Sequence, residues 1–147
     1  MPSGIAAKLR SAKNVELLGQ VADSGNFMDR CAVLALPVHV RGGVPLKVIE
    51  AMARGKAVVA SPEAVFGLAT ADGADMLVRS DPDQFATAIA SLLQNVAFRR
   101  QLGDHARATF ERDFSLSSTE RVLRRNSVLS NHGASNHDRL ASETACR

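Results

Sequence analysis

Along the chain, short apolar runs alternate with stretches whose apolar positions recur at helical spacing. Residues 15–18 (Val-Glu-Leu-Leu) read as a first strand closed by Gly19, and residues 23–30 as a short helix whose amides Asp23 can cap. Residues 32–37 are continuously apolar, as expected of a strand covered on both faces. A glycine-bearing loop, 38–43, leads to a helix over 45–54 that Gly55 stops, and residues 57–60 make the next buried strand. Residues 75–78 predict a fourth. Beyond them the pattern is helical only. Asp81, Pro82 and Gln84 open a helix bearing Phe85, Ile89, Leu92 and Leu93. Phe98, Leu102, Ala106 and Phe110 mark another, and Ser117 with Glu120 opens a third bearing Val122 and Leu123. Residues 1–13 can make one helix, with no strand before it. The pattern predicts an α/β fold: a partial parallel sheet of about four strands, crossover helices and a C-terminal helical stretch.

A length of 147 residues is that of one ordinary domain, and 46% hydrophobic with 22% charged residues is a globular balance. From residue 127 onward, Ser, Asn, His and charge dominate, so 127–147 reads as a disordered tail behind a 1–126 domain. Aromatics are only 4%, without Trp or Tyr, which argues against a site that stacks bases on flat rings. No apolar run approaches the ~20 residues that span a bilayer, and the first residues lack the layout of a secretory signal. The two cysteines, Cys31 and Cys146, are too few for a disulfide framework or a four-ligand zinc site. These features place the chain in the cytoplasm. The net charge of +3 resides entirely on residues 97–126, where arginines are interleaved with acids. That distribution suits a solvated helix face or an anionic surface better than nucleic acid.

The chemistry concentrates between Pro37 and Ser61. A buried strand ends, paired glycines Gly42 and Gly43 come next, and a helix begins. In open α/β sheets ligands bind beyond the carboxyl ends of the strands, where glycines let backbone amides approach a phosphate and the helix start adds partial positive charge. The same glycines also suit a tight turn with no ligand. On the helix, Lys47, Glu50 and Arg54 form one stripe. It reads either as exposed, weak ion pairs or as a carboxylate leaning toward the loop, able to accept hydrogen bonds from a ribose diol.

The segment 47–61, KVIEAMARGKAVVAS, resembles the donor-site signature of retaining, nucleotide-sugar-dependent group 1 glycosyltransferases with the GT-B fold, like those of bacterial exopolysaccharide and lipopolysaccharide assembly. Flanking segments match in order across roughly 14–125, from the run 15–21 through Leu102-Gly103 to Asp113-Phe114-Ser115. The resemblance implies a Rossmann-like C-terminal donor-binding domain. It also implies sugar transfer from a nucleoside-diphosphate sugar, with retention, in polysaccharide or glycolipid biosynthesis. Glu50 would hold the ribose hydroxyls. Gly42, Gly43 and Val44 would face the diphosphate and sugar with their amides, and Lys47 stands beside them. Gly19, Gln20 and Val21 would meet the nucleobase. No metal or cofactor is implied, since helix dipole and basic side chains stand in for a metal.

Many family members carry a glutamate eight residues before the helix one; here that position is Gly42, and Arg41 is the substitute contact for the sugar. His39, His105, His132 and His137 match no catalytic position of the family, so the catalytic residues are unassigned. The family's acceptor domain and first donor-domain strands would precede Met1, so the chain reads as truncated and inactive alone. The acceptor, a glycan or lipid-linked sugar, is not specified. A second reading is a non-catalytic interaction module that self-associates through an exposed sheet edge or docks on the inner face of a membrane.

Overall fold

The structure, a computed structural model, describes residues 3–40, 42 and 45–134, with only the backbone given for 3, 5 and 127–134. Helix α1 (Ser3–Ser11) is followed by an extended stretch, then α2 (Ser24–Arg30), β1 (Val33–Leu36), α3 (Leu46–Ala53) and β2 (Ala57–Ala60). A 3-10 turn (Pro62–Val65) leads to β3 (Leu77–Val78) and the helices α4 (Pro82–Gln94), α5 (Val96–Asp113) and α6 (Leu116–Ala134). The described strands form one parallel sheet in the order β1-β2-β3, Val33 opposite Ala57 and Val59 opposite Leu77.

The central strand explains the layering. All four residues of β2 are buried, and successive side chains on a strand point to opposite faces. Val58 and Ala60 pack with Val48, Ala51 and Met52 of α3, while Ala57 and Val59 pack with Ala88 and Leu92 of α4. α5 closes both layers, giving Leu102 to one and Ala106 to the other. Val58, Val59, Met52 and Leu92 are entirely buried, each side chain stabilising the fold by about 1.5–3 kcal/mol. Gly103 lets α5 come this close. A Cβ there would collide with the Gly55 carbonyl oxygen, and Gly55 itself turns the chain at φ +60°.

Three strands are found where about four were expected. The run 15–18 is not a strand: it is extended and unpaired, with Val15 44% and Leu18 50% exposed. A strand exists only through a partner, and among the described residues β1 is bonded to β2 alone, so the run 15–18 has not paired with the open edge of β1. At the other end α6 continues to Ala134, eight residues into the segment read as disordered; residues 135–147 lie outside the described residues.

Candidate functional site

β1, β2 and β3 run parallel and end at one edge of the sheet, and the turn after each strand decides what that edge can hold. After β3, Arg79 pairs with Asp72 at 2.9 Å, and α4 opens behind its own aspartate. Asp81 accepts hydrogen bonds from the Asp83 amide (3.1 Å) and the Gln84 amide (2.9 Å). α2 and α5 are closed the same way, Asp23 accepting from the Asn26 amide (3.0 Å) and Asn95 from the Phe98 amide (3.0 Å). α3 differs. It starts behind Pro45, no side chain among the described residues accepts from its first amides, and its first turn holds no acid. Such a helix start presents free N–H donors and the positive end of the helix dipole.

In front of it lies a cavity of about 290 Å³, whose wall includes Leu36, Val38, Gly42, Pro45, Lys47 and Glu63. Ser61, buried after β2, fixes where the chain leaves β1. Its amide donates to the Leu36 carbonyl (3.2 Å), and its hydroxyl accepts from the Val38 amide (3.0 Å) and donates to the Val38 carbonyl (2.6 Å). A neighbouring cavity of about 310 Å³, bounded by Pro37, His39, Ser61, Arg79 and Phe85, continues along the same edge.

Glu50 stands three residues beyond Lys47 on α3, so about 4.5 Å further along the axis, outside the cavity wall and toward α2. The Ser24 hydroxyl reaches its carboxylate at 3.2 Å (Oε1) and 3.4 Å (Oε2), and Arg54 Nε lies 3.5 Å from Oε1. Arg54 is in turn held by Asp29 at 2.7 Å. Lys56 donates to the Asp29 carbonyl at 2.8 Å and stands 4.0 Å from its carboxylate. Two acids and two bases thus join α2 to α3 with no net charge. Glu50 is 35% exposed, so part of its capacity to accept about four hydrogen bonds faces solvent. Asp72 stands beside Arg79 at this end of the sheet. Burial pushes its carboxyl up, but the Val78 amide and Arg79 together outweigh that and hold it below its ordinary value.

The structure brings Gly42 and Lys47 onto one wall and sets Glu50 a turn away. Gly19, with φ +68°, Gln20 and the partly exposed Val21 lie in the extended stretch that enters α2, Val21 three residues before Ser24. Arg41, Gly43 and Val44 lie outside the described residues. Sequence reasoning missed Ser24, Asp29, Lys56 and Ser61, whose partners are more than twenty residues away in the chain. The only signal was the i, i+4 spacing of Glu50 and Arg54. Among the described residues no three His, Cys, Asp or Glu side chains group as metal ligands, and no helix is long and apolar enough to cross a membrane.

A sequence model of the family described as glycosyl transferases group 1 matches residues 2–95. No curated protein matches the chain in sequence. Among solved structures, the chain is similar to the C-terminal domain of a glycosyl transferase group 1 family protein, LpcC, from Francisella tularensis. The TM-score is 0.68 at 17% identity, over 77% of this chain and 62% of that one. It is also similar to sucrose-phosphate synthase from Thermosynechococcus elongatus, with a TM-score of 0.69 at 23% identity, over 90% of this chain and 33% of that one. The likeness to these structures is one of fold, and the chain spans less than two thirds of either.

Proposed function

The chain belongs to the group 1 glycosyl transferases, and from that premise we propose that α3 and the loop before it bind the nucleoside-diphosphate part of a sugar donor. The observation that carries this reading is the uncapped start of α3 opening on a cavity while Glu50, on the same helix, is fastened with free acceptor capacity. An unpaired helix start favours an anion. The Leu46 and Lys47 amides, the Lys47 ammonium and the amides of Gly42, Gly43 and Val44 would take the diphosphate. Glu50 would accept hydrogen bonds from the ribose hydroxyls, and the backbone of Gly19, Gln20 and Val21 would meet the base. Arg41 would contact the sugar.

In the whole enzyme the sugar would pass to a glycan or lipid-linked acceptor with retention, in polysaccharide or glycolipid assembly, the nucleoside diphosphate leaving. Transfer requires donor and acceptor in one closed, water-poor cleft. Around α3 the described residues form an open face, so the 147-residue chain alone is expected to bind donor without transferring sugar. Calorimetric titration of UDP, GDP and ADP into the chain and into Glu50→Ala tests the reading. One nucleotide should bind, and Glu50→Ala should weaken it tenfold or more, the worth of hydrogen bonds to a charged acceptor. Equal binding by both proteins, or none by wild type, refutes the assignment.

A second reading, an interaction module, draws on the bonding of β1 on one side only among the described residues and on the half-exposed Val15, Leu17 and Leu18. It predicts concentration-dependent dimers by light scattering, or salt-sensitive binding to anionic vesicles.

A further inference from the structure

We propose that Ser24 and Arg54 are positioning residues that aim the Glu50 carboxylate at a vicinal diol, and that position 25 is glycine so that Arg54 can lie across α2. This rests on the reading of Glu50 as a ribose-binding group. A lone Glu–Arg pair at i, i+4 on an exposed helix has no fixed geometry, because both side chains are long and solvated. Here the guanidinium is not free to choose. Asp29 takes Arg54 Nη1 at 2.7 Å, while Lys56 bonds the Asp29 carbonyl at 2.8 Å. Nη2 occupies the space beside Gly25, where a Cβ would collide with it. Held on that side, Arg54 offers Glu50 only Nε, at 3.5 Å, in place of the two-pronged grip a free arginine makes with a carboxylate.

The single Ser24 hydroxyl proton, 3.2 and 3.4 Å from the two oxygens, sets the rotation of the carboxylate from the α2 side. Glu50 is therefore oriented without being saturated. One hydroxyl donor and a guanidinium at ion-pair distance leave room for about two more donors, the number a vicinal diol supplies. Two acids balanced by two bases also spare an incoming diphosphate the repulsion an unpaired Glu50 would exert.

The test is the ratio of dissociation constants for a 2′,3′-dideoxynucleoside diphosphate and its ribose counterpart, with UDP, GDP and ADP as the parent probes. A ratio cancels any difference in the folded fraction, since both ligands meet the same protein. Wild type should prefer the ribose form about tenfold or more. Glu50→Gln should bring the ratio near one. Ser24→Ala and Gly25→Ala should each lower it about threefold or more, and Ser24→Thr should restore it. With Arg54→Ala in place, adding Gly25→Ala should lower the ratio less than it does in wild type, because a Cβ at position 25 collides with the Arg54 guanidinium and otherwise meets only Asp23 Oδ1, at 3.1 Å. If Glu50→Gln abolishes the preference but Ser24→Ala and Gly25→Ala leave it intact, the positioning role is wrong and the ribose reading stands. If wild type shows no preference, or binds no nucleotide, the ribose reading itself fails, and the positioning role with it.

Discussion

The turn from β3 into α4 satisfies itself, whereas the turn from β1 into α3 does not. Both leave the same edge of the same sheet. At α4 an aspartate accepts two first-turn amides and a second acid, Asp83, sits in that turn, so the positive end of the helix is already answered. At α3 proline takes the cap position, the first turn has no acid, and the loop before it borders a cavity. A chain selected only for stability would gain about 1 kcal/mol from a cap at such a start. On the proposed reading, the α3 amides left without a side-chain acceptor among the described residues are the ones that take the diphosphate.

Four changes would break or sharpen this contrast, the largest first. Glu50→Asp shortens the arm by about 1.5 Å, which moves the carboxylate out of reach of Ser24 and of any ribose it serves. Nucleoside-diphosphate affinity should fall tenfold or more by calorimetry, with the melting temperature almost unchanged because Glu50 is partly exposed. Pro45→Asp gives α3 the cap that α4 has. Affinity should fall about tenfold, and Pro45→Ser, a cap without charge, should cost about threefold. Stability should stay within about 1 kcal/mol of wild type, as the new cap offsets the lost stiffness of proline.

Asp81→Ala opens the start of α4. It should cost about 1 kcal/mol in urea unfolding and leave nucleotide affinity untouched. The smallest effect concerns Asp72, whose folded pKa lies below its ordinary 3.8. A carboxylate depressed in the folded state contributes stability that is fully present above the unfolded pKa and lost as pH falls through the folded one. Asp72→Asn should therefore lower the melting temperature slightly at pH 7, and the gap should close as pH drops below 3.8. Thermal melts across that range check the sign.

The contrast was only half legible in the sequence. The start of α4 was readable because every part is local: Asp81, Pro82 and Gln84 are neighbours, and the cap forms as their spacing predicts. β2 was equally plain, since a four-residue apolar run closed by Gly-Lys on one side and Ser-Pro on the other has few alternatives. The frame around Glu50 was not readable. Ser24 and Asp29 reach Glu50 and Arg54 across more than twenty residues, and only the packing of α2 on α3 brings them together. The run 15–18 failed in the opposite sense, because a strand-like composition makes a strand only by pairing, and this run does not pair with the open edge of β1. Local chemistry was visible, and chemistry made by tertiary contact was not.

The most direct measurement is an amide NMR titration of the 147-residue chain with the nucleoside diphosphate that binds best by calorimetry. Saturable shifts are expected at the Gly42, Leu46 and Lys47 amides, in front of the open end of α3, with the Asp83 and Gln84 amides of α4 unmoved. Shifts centred on the first turn of α4, shifts spread evenly over the sheet, or no shift at α3 while calorimetry reports binding would contradict the assignment of the nucleotide to α3.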